Sequence, residues 1–387
     1  MHLKTRNVNT AFKTLVGIFH SRGLSYDPQL QFSGRDSRNG RVIVLDEPVL
    51  MTYSHPCERV LFNQARDCNP FFHVYEALWM LAGRNDVASV SYYSKRMKDF
   101  SDDGHRFNGA YGYRWRKHDR GDGMYPETDQ LDLLVNHLKH NKDSRRAVLQ
   151  MWNIENDTLQ IGQGTDFDAG GRPIPVSKDV CCNLSVMFSI RTLYGSAQGV
   201  GVPDKEFKYL DMTVTNRSND MIWGMLGADY VDFVFLQEYM AAQLGCEVGK
   251  YNHFTNNLHV YDWNWKPEEW LKDKGDQYPY QHDVVKQDGS SNYFPLVKDP
   301  VQFEKELPLF IETFSGEDPN RKTWTQYDEP FFADVAVPMM MAFYQHKGMK
   351  NTEAAIETAQ RIRADDWRLA CTNWLQKRLK KENNNGV

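Results

Sequence analysis

The sequence Val180-Cys181-Cys182-Asn183 stands directly before a strand-like run at 184–191, in which apolar and polar residues alternate. A second run of this kind, at 209–217, ends in the polar cluster Asn216-Arg217-Ser218-Asn219-Asp220. Successive strands that deliver a thiol and an arginine meet the needs of a cysteine nucleophile, because the thiolate attacks and a nearby cation stabilises it. The two strands therefore predict a sheet and a candidate reactive thiol together.

Helical and strand patterns alternate along the rest of the chain. Apolar residues at helical spacing predict helices over 69–83, 128–140 and 229–244, and alternation predicts further strands over 146–152 and 250–262. After Pro300 the pattern is helical again, over 331–347 with an interruption at Pro338, over 352–363 and over 365–381. This mixture predicts an α+β fold.

The chain divides by composition into two parts. Residues 1–275 carry the strands and the candidate site, and residues 276–387 are expected to form a mostly helical extension packed on them. Two segments rich in Gly, Asp and Pro, 155–178 and 194–207, are predicted to be surface insertions.

Composition also limits the classes of function. The formal net charge of −5 gives no basic field for extended nucleic acid, so a small anionic ligand is the better expectation. No apolar stretch is long enough to span a membrane and the charged N-terminus lacks an apolar core behind it, which predicts a cytoplasmic protein. The six cysteines form no C-x-x-C pair, so we expect reduced thiols, no disulfide scaffold and no metal site.

Three candidate groups have an alternative interpretation. Arg145 and Arg146 precede a predicted strand, and they suit either a phosphate site or a solvated basic turn. His73 and Glu76 could ligate a metal, but without further ligands at matching spacing a packed helix histidine is favoured. The paired cysteines could be small buried hydrophobes, and composition alone favours that interpretation.

The order of these pieces resembles the thymidylate synthase superfamily over roughly residues 30–265. The matching motifs are Ser37-Arg38-Asn39-Gly40, Tyr75-Glu76-Ala77-Leu78-Trp79, Tyr111-Gly112-Tyr113-Arg114-Trp115-Arg116, Asp143-Ser144-Arg145-Arg146 with Trp152-Asn153, Cys182, Asn216-Arg217-Ser218-Asn219-Asp220, and Leu258-His259-Val260-Tyr261. Their shared order is a specific signal. The resemblance implies a homodimer with shared active sites, in which thymidylate synthase-like twisted sheets with flanking helices pack back to back.

Carried over position by position, the resemblance implies a role for each site residue. Cys182 is the implied nucleophile, and Glu76 and Tyr111 form the implied proton-handling network. The implied phosphate ligands are Arg38, Arg217 and Ser218. Arg145 and Arg146 are implied to reach into the phosphate site of the neighbouring subunit.

The sugar and the base have their own implied contacts. His259 and Tyr261 resemble the pair that holds the sugar 3′-hydroxyl, and the backbone of Asp220 resembles the one that positions the pyrimidine. Cys182 is preferred to Cys181 because it sets Phe188 in the hydrophobic register of the family.

The chemistry of the pyrimidine ring explains the thiol. C5 is a poor nucleophile until a thiolate adds at C6, so covalent catalysis is expected. Arg217 can lower the pKa of the thiol while it binds phosphate, and an anchored phosphate orients the reacting carbon. The resemblance implies 5,10-methylenetetrahydrofolate as the one-carbon donor, with a carboxylate such as Glu76 managing protons. Hydride from the folate would give a methyl product, and water a hydroxymethyl product.

Departures from the synthase pattern set the expected base and product. The usual Pro-Cys-His is replaced here by Val180 and Cys182 flanked by Cys181 and Asn183, and Asp229 stands where synthases have the asparagine that reads uracil. A carboxyl group accepts from the N4 amine of cytosine and, when protonated, donates to N3. Asp229 therefore favours cytosine, with a helix N-cap as the alternative interpretation.

These features predict a deoxycytidylate 5-hydroxymethylase similar to those of DNA-modifying phages, acting in the host cytoplasm if the gene is phage-encoded. Deoxyuridylate hydroxymethylase, deoxycytidylate methyltransferase and thymidylate synthase are the alternatives within this chemistry. A zinc deaminase would need His-x-Glu and Cys-x-x-Cys ligands that this sequence lacks. A non-catalytic nucleotide-binding homologue would keep the arginines and have no use for a reactive thiol.

Overall fold

The computed structural model describes residues 1–24, 35–37, 40–118, 127–154, 157, 179–195, 205–273, 280, 293–316 and 326–385. In chain order its elements are β1 (His2–Thr5), α1 (Val8–Leu24), β2 (Arg35–Ser37), β3 (Gly40–Val44), β4 (Val49–Tyr53), α2 (Pro70–Leu81), α3 (Val87–Tyr93), α4 (Tyr111–Arg116), α5 (Gln130–His140), β5 (Val148–Gln150), β6 (Asn183–Gly195), β7 (Lys205–Asn216), β8 (Asn219–Asp220), α6 (Ala228–Leu244), β9 (Glu247–Thr255), β10 (Leu258–Tyr261), α7 (Pro267–Lys272), α8 (Pro300–Thr313), α9 (Val337–Lys347), α10 (Thr352–Ala359) and α11 (Asp365–Asn385). Short helical turns of other types cover Lys95–Phe100, Met221–Met225, Asp262–Asn264 and Phe332–Ala336. None of the described helices is long and apolar enough to cross a membrane.

The larger sheet has six strands in the order β1-β4-β9-β7-β6-β5. Successive side chains on a strand point to opposite faces, so Val186, Leu210, Met212 and Tyr251 share one face, where all are buried. Helix α6 packs on β7 and β9 on this side, and α2 packs on α6. A mixed sheet with helices on one face confirms the predicted α+β class.

The other face of the larger sheet, here called the polar face, carries side chains that bond to one another across strands. His2 Nε2 lies 2.9 Å from Thr52 Oγ1, and Thr52 donates to Asn252 Oδ1 at 2.9 Å. Asn252 Nδ2 in turn donates to Thr213 Oγ1 at 3.3 Å. The polar face is thus a connected surface over β1, β4, β9 and β7.

Three neighbouring strands have a terminus at the same end of the larger sheet. β6 runs antiparallel to β7 with Asn183 opposite Asn216, and β9 runs parallel to β7 with Thr255 opposite Asn216. The start of β6 therefore lies beside the ends of β7 and β9. This arrangement makes the thiol before β6 and the arginine after β7 neighbours.

The chain continues from this end of the larger sheet into a smaller sheet, which has the strand order β2-β3-β10-β8. The prediction of one strand over 250–262 is wrong, because the chain leaves the larger sheet after Thr255 and enters the smaller one at Leu258. Asn256 donates its N–H to the Asn216 carbonyl at 3.0 Å, and the Asn257 carbonyl accepts from Asn219 at 3.0 Å. These two bonds end the regular pairing of the larger sheet, and the chain turns at Asn256 and Asn257. Asparagine is a residue type suited to turns.

Other boundaries also differ from the sequence predictions. The segment 194–207 is not wholly an insertion, because β6 extends to Gly195 and β7 begins at Lys205. The helix predicted over 352–363 ends at Ala359, and Pro338 lies in the first turn of α9, where its missing N–H is tolerated. Within 155–178 only Asp157 is described, buried and bonded to Arg114 at 2.5 Å.

The C-terminal extension shares a buried core with the rest of the protein. The fully buried Arg59 pairs with Glu238 of α6 and donates to the Phe294 carbonyl at 2.9 Å. Its guanidinium lies 5.1 Å from the Phe235 ring and 5.9 Å from the Trp367 ring of α11. A buried charge needs such a partner and such packing, so α6 and α11 depend on each other.

Helix α2 is held from outside by the same extension. The Tyr75 hydroxyl donates to the Ile311 carbonyl of α8 at 3.5 Å. The Phe71 ring packs 5.3 Å from Phe343 of α9 and 5.4 Å from Trp374 of α11. α2 therefore lies between α6 and the extension.

Candidate active site

Cys182 lies immediately before β6, against the side chain of Arg217. Nη2 of Arg217 is 3.7 Å from Sγ of Cys182, and the Arg217 backbone N–H donates to the Cys182 carbonyl at 3.0 Å. The same guanidinium donates to the carbonyls of Cys181, at 3.0 Å, and Val180, at 3.2 Å. These bonds fix the cation beside the thiol.

Burial, more than the arginine, sets the protonation of this thiol. Burial raises the pKa of Cys182, Arg217 lowers it, Asp229 and Asp179 raise it, and a hydrogen bond with Tyr111 lowers it. The expected lowering by Arg217 is present but outweighed, because a thiolate would lose its hydration in this enclosed position. The thiol is therefore neutral in the free protein at pH 7.

The neighbouring Cys181 has a different environment. It is 1% exposed, and its thiol donates to the Asn183 carbonyl at 3.1 Å. Burial raises the pKa of the Cys181 thiol above its ordinary value. Cys182 is half-buried and contacts Arg217, so it is the more accessible sulfur of the pair.

Ser218, His259 and Tyr261 lie next to the arginine. Ser218 Oγ is 3.4 Å from Nδ1 of His259, and the rings of His259 and Tyr261 meet edge to face at 5.4 Å. Both residues alternate with the buried Leu258 and Val260 on β10, so they share the open side of that strand. Burial lowers the pKa of His259, and the neutral ring offers one donor and one acceptor.

Asp220 is fixed by both its backbone and its side chain. Its backbone pairs with His259 where β8 meets β10, and its Oδ2 accepts from the Trp223 N–H at 2.7 Å. Burial raises the pKa of Asp220 to about 6. The backbone between Arg217 and Trp223 is therefore held in place by these bonds.

Asp229 lies opposite this segment, in the first turn of α6. The N-cap of α6 is Gly227, so the alternative interpretation of Asp229 as a helix N-cap is wrong. Asn219 Nδ2 donates to Asp229 Oδ2 at 3.0 Å and lies 3.5 Å from Nε2 of His253. Burial raises the pKa of Asp229 to about 6, against the lowering effect of the Asn219 bond.

Gly224 allows this contact between Asn219 and Asp229. A Cβ at position 224 would lie 1.9 Å from Asn219 Oδ1 and 3.0 Å from Asp229 Oδ2. Any side chain there would displace the amide. A glycine is thus required by close approach at this point.

Two more carboxyl groups lie near Asp229. Glu76 of α2 and Asp232 of α6 are 5% and 1% exposed, and Glu76 Oε2 and Asp232 Oδ1 have no hydrogen-bond partner among the described residues. Burial is the main cause that raises the pKa of Glu76, and the neighbouring Asp229 adds to it. Burial is also the main cause that raises the pKa of Asp232, to which Glu76 and Asp229 add. The described residues hold no group of three or more His, Cys, Asp or Glu placed to bind a metal ion.

Sequence reasoning missed Asp232. It lies three residues after Asp229 inside an otherwise apolar stretch of α6, and that spacing puts both carboxyls on one helix face. A charged residue within an apolar helical face was the available signal.

Tyr111 begins α4 and closes the site behind the thiol. Its hydroxyl hydrogen-bonds the Cys182 thiol, and its ring stacks on Phe233 with centroids 5.9 Å apart. Burial raises the pKa of Tyr111, so its hydroxyl keeps its proton.

An aromatic wall, defined by Trp223 and Trp263 with Arg96 between them, was also missed. The Arg96 guanidinium lies 4.0 Å from the Trp223 ring and 4.5 Å from the Trp263 ring. Trp263 stacks on Tyr261 at 6.0 Å, and Trp223 Nε1 is buried without a hydrogen-bond partner among the described residues. The wall therefore borders both Tyr261 and Asp220.

Arg145 and Arg146 are not next to the thiol of their own chain. Arg145 and Arg146 are exposed in the turn before β5, an edge strand. Val148 of β5 lies opposite Met187, five residues along β6 from Cys182, or about 16 Å. Within one chain they thus lie away from the Cys182 site along the sheet. Arg38 lies outside the described residues.

Comparisons with known proteins agree with this geometry. The sequence profile of the thymidylate synthase family matches residues 64–282, more than half of the chain. A deoxyuridylate hydroxymethyltransferase of Pseudomonas phage M6 is 38% identical over 97% of this chain and 94% of its own length. A deoxyuridylate hydroxymethyltransferase of Bacillus phage SP01 is 37% identical over 57% of this chain and 51% of its own length. A thymidylate synthase of Streptococcus mutans is 28% identical over 46% of this chain and 52% of its own length. With its thiol, arginine and carboxyl groups in the family order, the chain belongs to the thymidylate synthase family.

Proposed function

We propose that the protein is a deoxycytidylate 5-hydroxymethylase. The coarser function, folate-dependent transfer of a one-carbon unit to a pyrimidine nucleotide, is supported by the family and by the phage hydroxymethyltransferase relatives. The choice of base rests on one observation, the half-buried carboxyl of Asp229 in the first turn of α6.

Asp229 suits cytosine when it carries a proton. Its Oδ2 accepts from Asn219, so a proton on this carboxyl sits on Oδ1. The Oδ1 hydroxyl can then donate to N3 of cytosine while a remaining lone pair of Oδ2 accepts from the N4 amine. With a pKa of about 6, Asp229 reaches that neutral state at a small free-energy cost near neutral pH.

Deoxyuridylate is the second candidate substrate. The phage M6 relative, similar over nearly its whole length, is named for deoxyuridylate. A neutral carboxyl can also donate to O4 of uracil and accept from its N3–H, as a carboxamide does. An ionised carboxylate would repel O4, so either base requires the protonated form.

Cys182 is the proposed nucleophile. It adds to C6 of the pyrimidine, and the displaced electron pair moves through C5–C4 onto N3 of cytosine, or onto O4 of uracil, where Asp229 supplies a proton. Arg217 lies 3.7 Å from the sulfur and stabilises the thiolate, and Tyr111 hydrogen-bonds it. Glu76 handles protons on the far side of Asp229 from the thiol.

Arg217 and Ser218 are proposed to hold the substrate phosphate, together with Arg38. The Nε and Nη2 groups of Arg217 bond to the chain at Val180–Cys182, so its Nη1 is the edge that faces a ligand. His259 and Tyr261, on the open side of β10, are proposed to bind the sugar 3′-hydroxyl. The backbone of Asp220 positions the pyrimidine between these groups.

Arg145 and Arg146 are proposed to complete the phosphate site of a second subunit in a homodimer. They are exposed, and Val148, the first residue of the strand that follows them, lies about 16 Å along the sheet from Cys182 of the same chain. The polar face of the larger sheet is the surface proposed for the back-to-back contact, because the sheet that carries it also includes the edge strand β5. A two-fold axis through it would carry each arginine pair toward the partner.

The residues of the aromatic wall fit 5,10-methylenetetrahydrofolate, the one-carbon donor of the family. A folate presents flat rings and a carboxylate tail, and the wall supplies two indole surfaces, a guanidinium and the unpartnered Nε1–H of Trp223. When bound there, the folate supplies the carbon that becomes the new C5 substituent.

The product assay tests the proposal directly. The protein is incubated with methylenetetrahydrofolate and either dCMP or dUMP, and the nucleotide product is weighed by mass spectrometry. We expect a hydroxymethyl product from dCMP at a higher kcat/KM than from dUMP. A preference for dUMP would move the second candidate to first place, and a methyl product would indicate hydride transfer.

Asp229→Asn tests which residue reads the base. The amide offers a donor to O4 of uracil and an acceptor to its N3–H, and it no longer offers cytosine a carboxyl group. We expect kcat/KM to shift toward dUMP by roughly 1–3 kcal/mol, the scale of a mispaired buried polar contact. Equal losses with both nucleotides would mean that Asp229 does not read the base.

A further inference from the structure

Asp232 sits behind the base-reading carboxyl in a position that the proposed chemistry has not used. It is 1% exposed on α6, one helical turn after Asp229, and it faces Glu76 across the contact between α6 and α2. Neither Asp232 Oδ1 nor Glu76 Oε2 has a hydrogen-bond partner among the described residues. Two such carboxyl groups close together in a buried contact are unfavourable unless at least one carboxyl keeps its proton.

Among the described residues, the groups that act on Asp232 carry no positive charge to offset a carboxylate. Glu76 from α2 and Asp229 from α6 act on it as acids. Tyr251 from β9 is within electrostatic reach, and burial raises its pKa first, with Asp229 and Asp232 adding to the rise. His253 on β9, which lies 2.9 Å from the Tyr251 hydroxyl, is neutral because burial lowers its pKa to about 3.

We propose that Asp232 is a positioning residue which, with Glu76, holds a shared store of protons that keeps Asp229 neutral while it reads the base. The three carboxyls form one coupled group, and two simultaneous negative charges in it are strongly unfavourable. When a proton passes from Asp229 to N3 of cytosine, or to O4 of uracil, during thiolate addition, a proton from Glu76 or Asp232 replaces it on Asp229, and the store regains its proton when the adduct breaks down. This inference rests on the proposed role of Asp229 and holds for cytosine and uracil alike.

The proton store has a direct readout that needs no substrate. The C=O stretch of a protonated carboxyl differs from that of a carboxylate, so infrared difference spectra of wild type and Asp232→Asn at pH 7 report whether Asp232 is neutral. We expect the variant to lose one protonated-carboxyl band. Asp366→Asn, which removes a buried carboxyl bonded to Tyr280 far from the site, marks the band of an unrelated acid. A wild-type spectrum in which only carboxylate bands respond to Asp232→Asn would overturn the proposal, whatever the enzyme's substrate.

The pH profile of kcat/KM tests the link to the reaction. In Asp232→Asn the amide can donate a hydrogen bond to an ionised neighbour, and the store holds one proton fewer. Asp229 should therefore ionise at a lower pH than it does in the wild-type protein. We expect the alkaline decline of kcat/KM to begin about one pH unit lower in the variant. At pH values above this decline kcat/KM should be about tenfold lower than in wild type, and at lower pH it should change little. Asp232→Glu keeps a titratable group and should restore the limb toward wild type. An equal loss at every pH would indicate a purely structural role and overturn the proposal.

The substitution is expected to fold. An acid whose pKa is raised in the native state binds a proton that the unfolded chain has released above about pH 4, so its contribution to stability is present at low pH and is lost as pH rises. At high pH, keeping Asp232 protonated therefore costs stability. Asp232→Asn removes this cost, so it should raise the free energy of unfolding more at pH 8 than at pH 5. A denaturation series at the two pH values separates this effect from the kinetic one.

Discussion

At the scale of single residues, the thiol and its neighbour illustrate how two adjacent side chains acquire different chemistry. Cys182 is half-buried and contacts Arg217, while Cys181 is enclosed and bonded to a backbone carbonyl. Desolvation outweighs the arginine at Cys182, so the cation limits the penalty of forming a thiolate without abolishing it. The thiolate therefore forms during the reaction and not before it.

This difference predicts how the two cysteines react. Alkylation of Cys182 by iodoacetamide should be slow at pH 7 and rise as pH increases toward a pKa above that of a free cysteine, with Cys181 slower throughout. Cys182→Ser should abolish turnover and covalent capture of nucleotide and leave nucleotide binding largely intact, whereas Cys181→Ser should be mild. Mass spectrometry of the labelled peptide and single-turnover assays check both. Activity lost only in Cys181→Ser would assign the nucleophile to Cys181.

At the scale of elements, α2 connects the site to the extension. Glu76 on one side faces α6, and Phe71 on the other packs on α9 and α11. Its start is fixed by Asn69, whose Oδ1 accepts from Phe71 and Phe72 at 3.1 and 3.2 Å and whose Nδ2 donates to the Tyr93 carbonyl at 3.1 Å. The cap therefore sets where Glu76 lies relative to Asp229.

Removing this cap should cost stability and activity together. Asn69→Ala leaves two N–H groups without their acceptor, so we expect a loss of about 1–2 kcal/mol in the free energy of unfolding, measured by urea denaturation. Asn69→Asp keeps the acceptor and is the matched control, with a smaller loss. If Asn69→Ala unfolds like wild type, the cap does not hold α2 in place.

Local patterns in the sequence predicted the strands around the thiol, because β6 and β7 bury alternate residues against α6. They did not predict the break at Asn256 and Asn257, which depends on bonds to Asn216 and Asn219 on other strands. Asp232 was missed for the same reason, since its neighbour Glu76 lies 156 positions earlier and only packing brings them together. Motif order predicted the individual site residues, and tertiary contacts supplied the relations between them.

At the scale of the whole molecule, the separation between Cys182 and β5, the strand that follows Arg146, is the basis of the proposed shared site. If Arg145 and Arg146 serve the partner's phosphate site, each active site combines two chains. Two defective subunits with different defects can then produce one intact site in a mixed dimer.

Subunit mixing tests this arrangement. Arg146→Ala and Cys182→Ser homodimers should each have little activity, and an exchanged mixture should regain a substantial fraction of wild-type turnover, because one site of each heterodimer is intact. Native mass spectrometry confirms that exchange took place. A mixture of exchanged heterodimers that stays inactive would show that the site is not shared.

The enclosure of Arg59 has a consequence for how the protein is made. Arg59 is translated long before Asp366 and Trp367, which act on it, and the bonds between Asp67 and Arg378 join positions 311 apart. The nascent chain therefore carries an unfinished interior, with exposed aromatic surface, until these later residues have been made. A gene interrupted before codon 366 would encode every residue assigned to catalysis and still yield a product that cellular proteases remove.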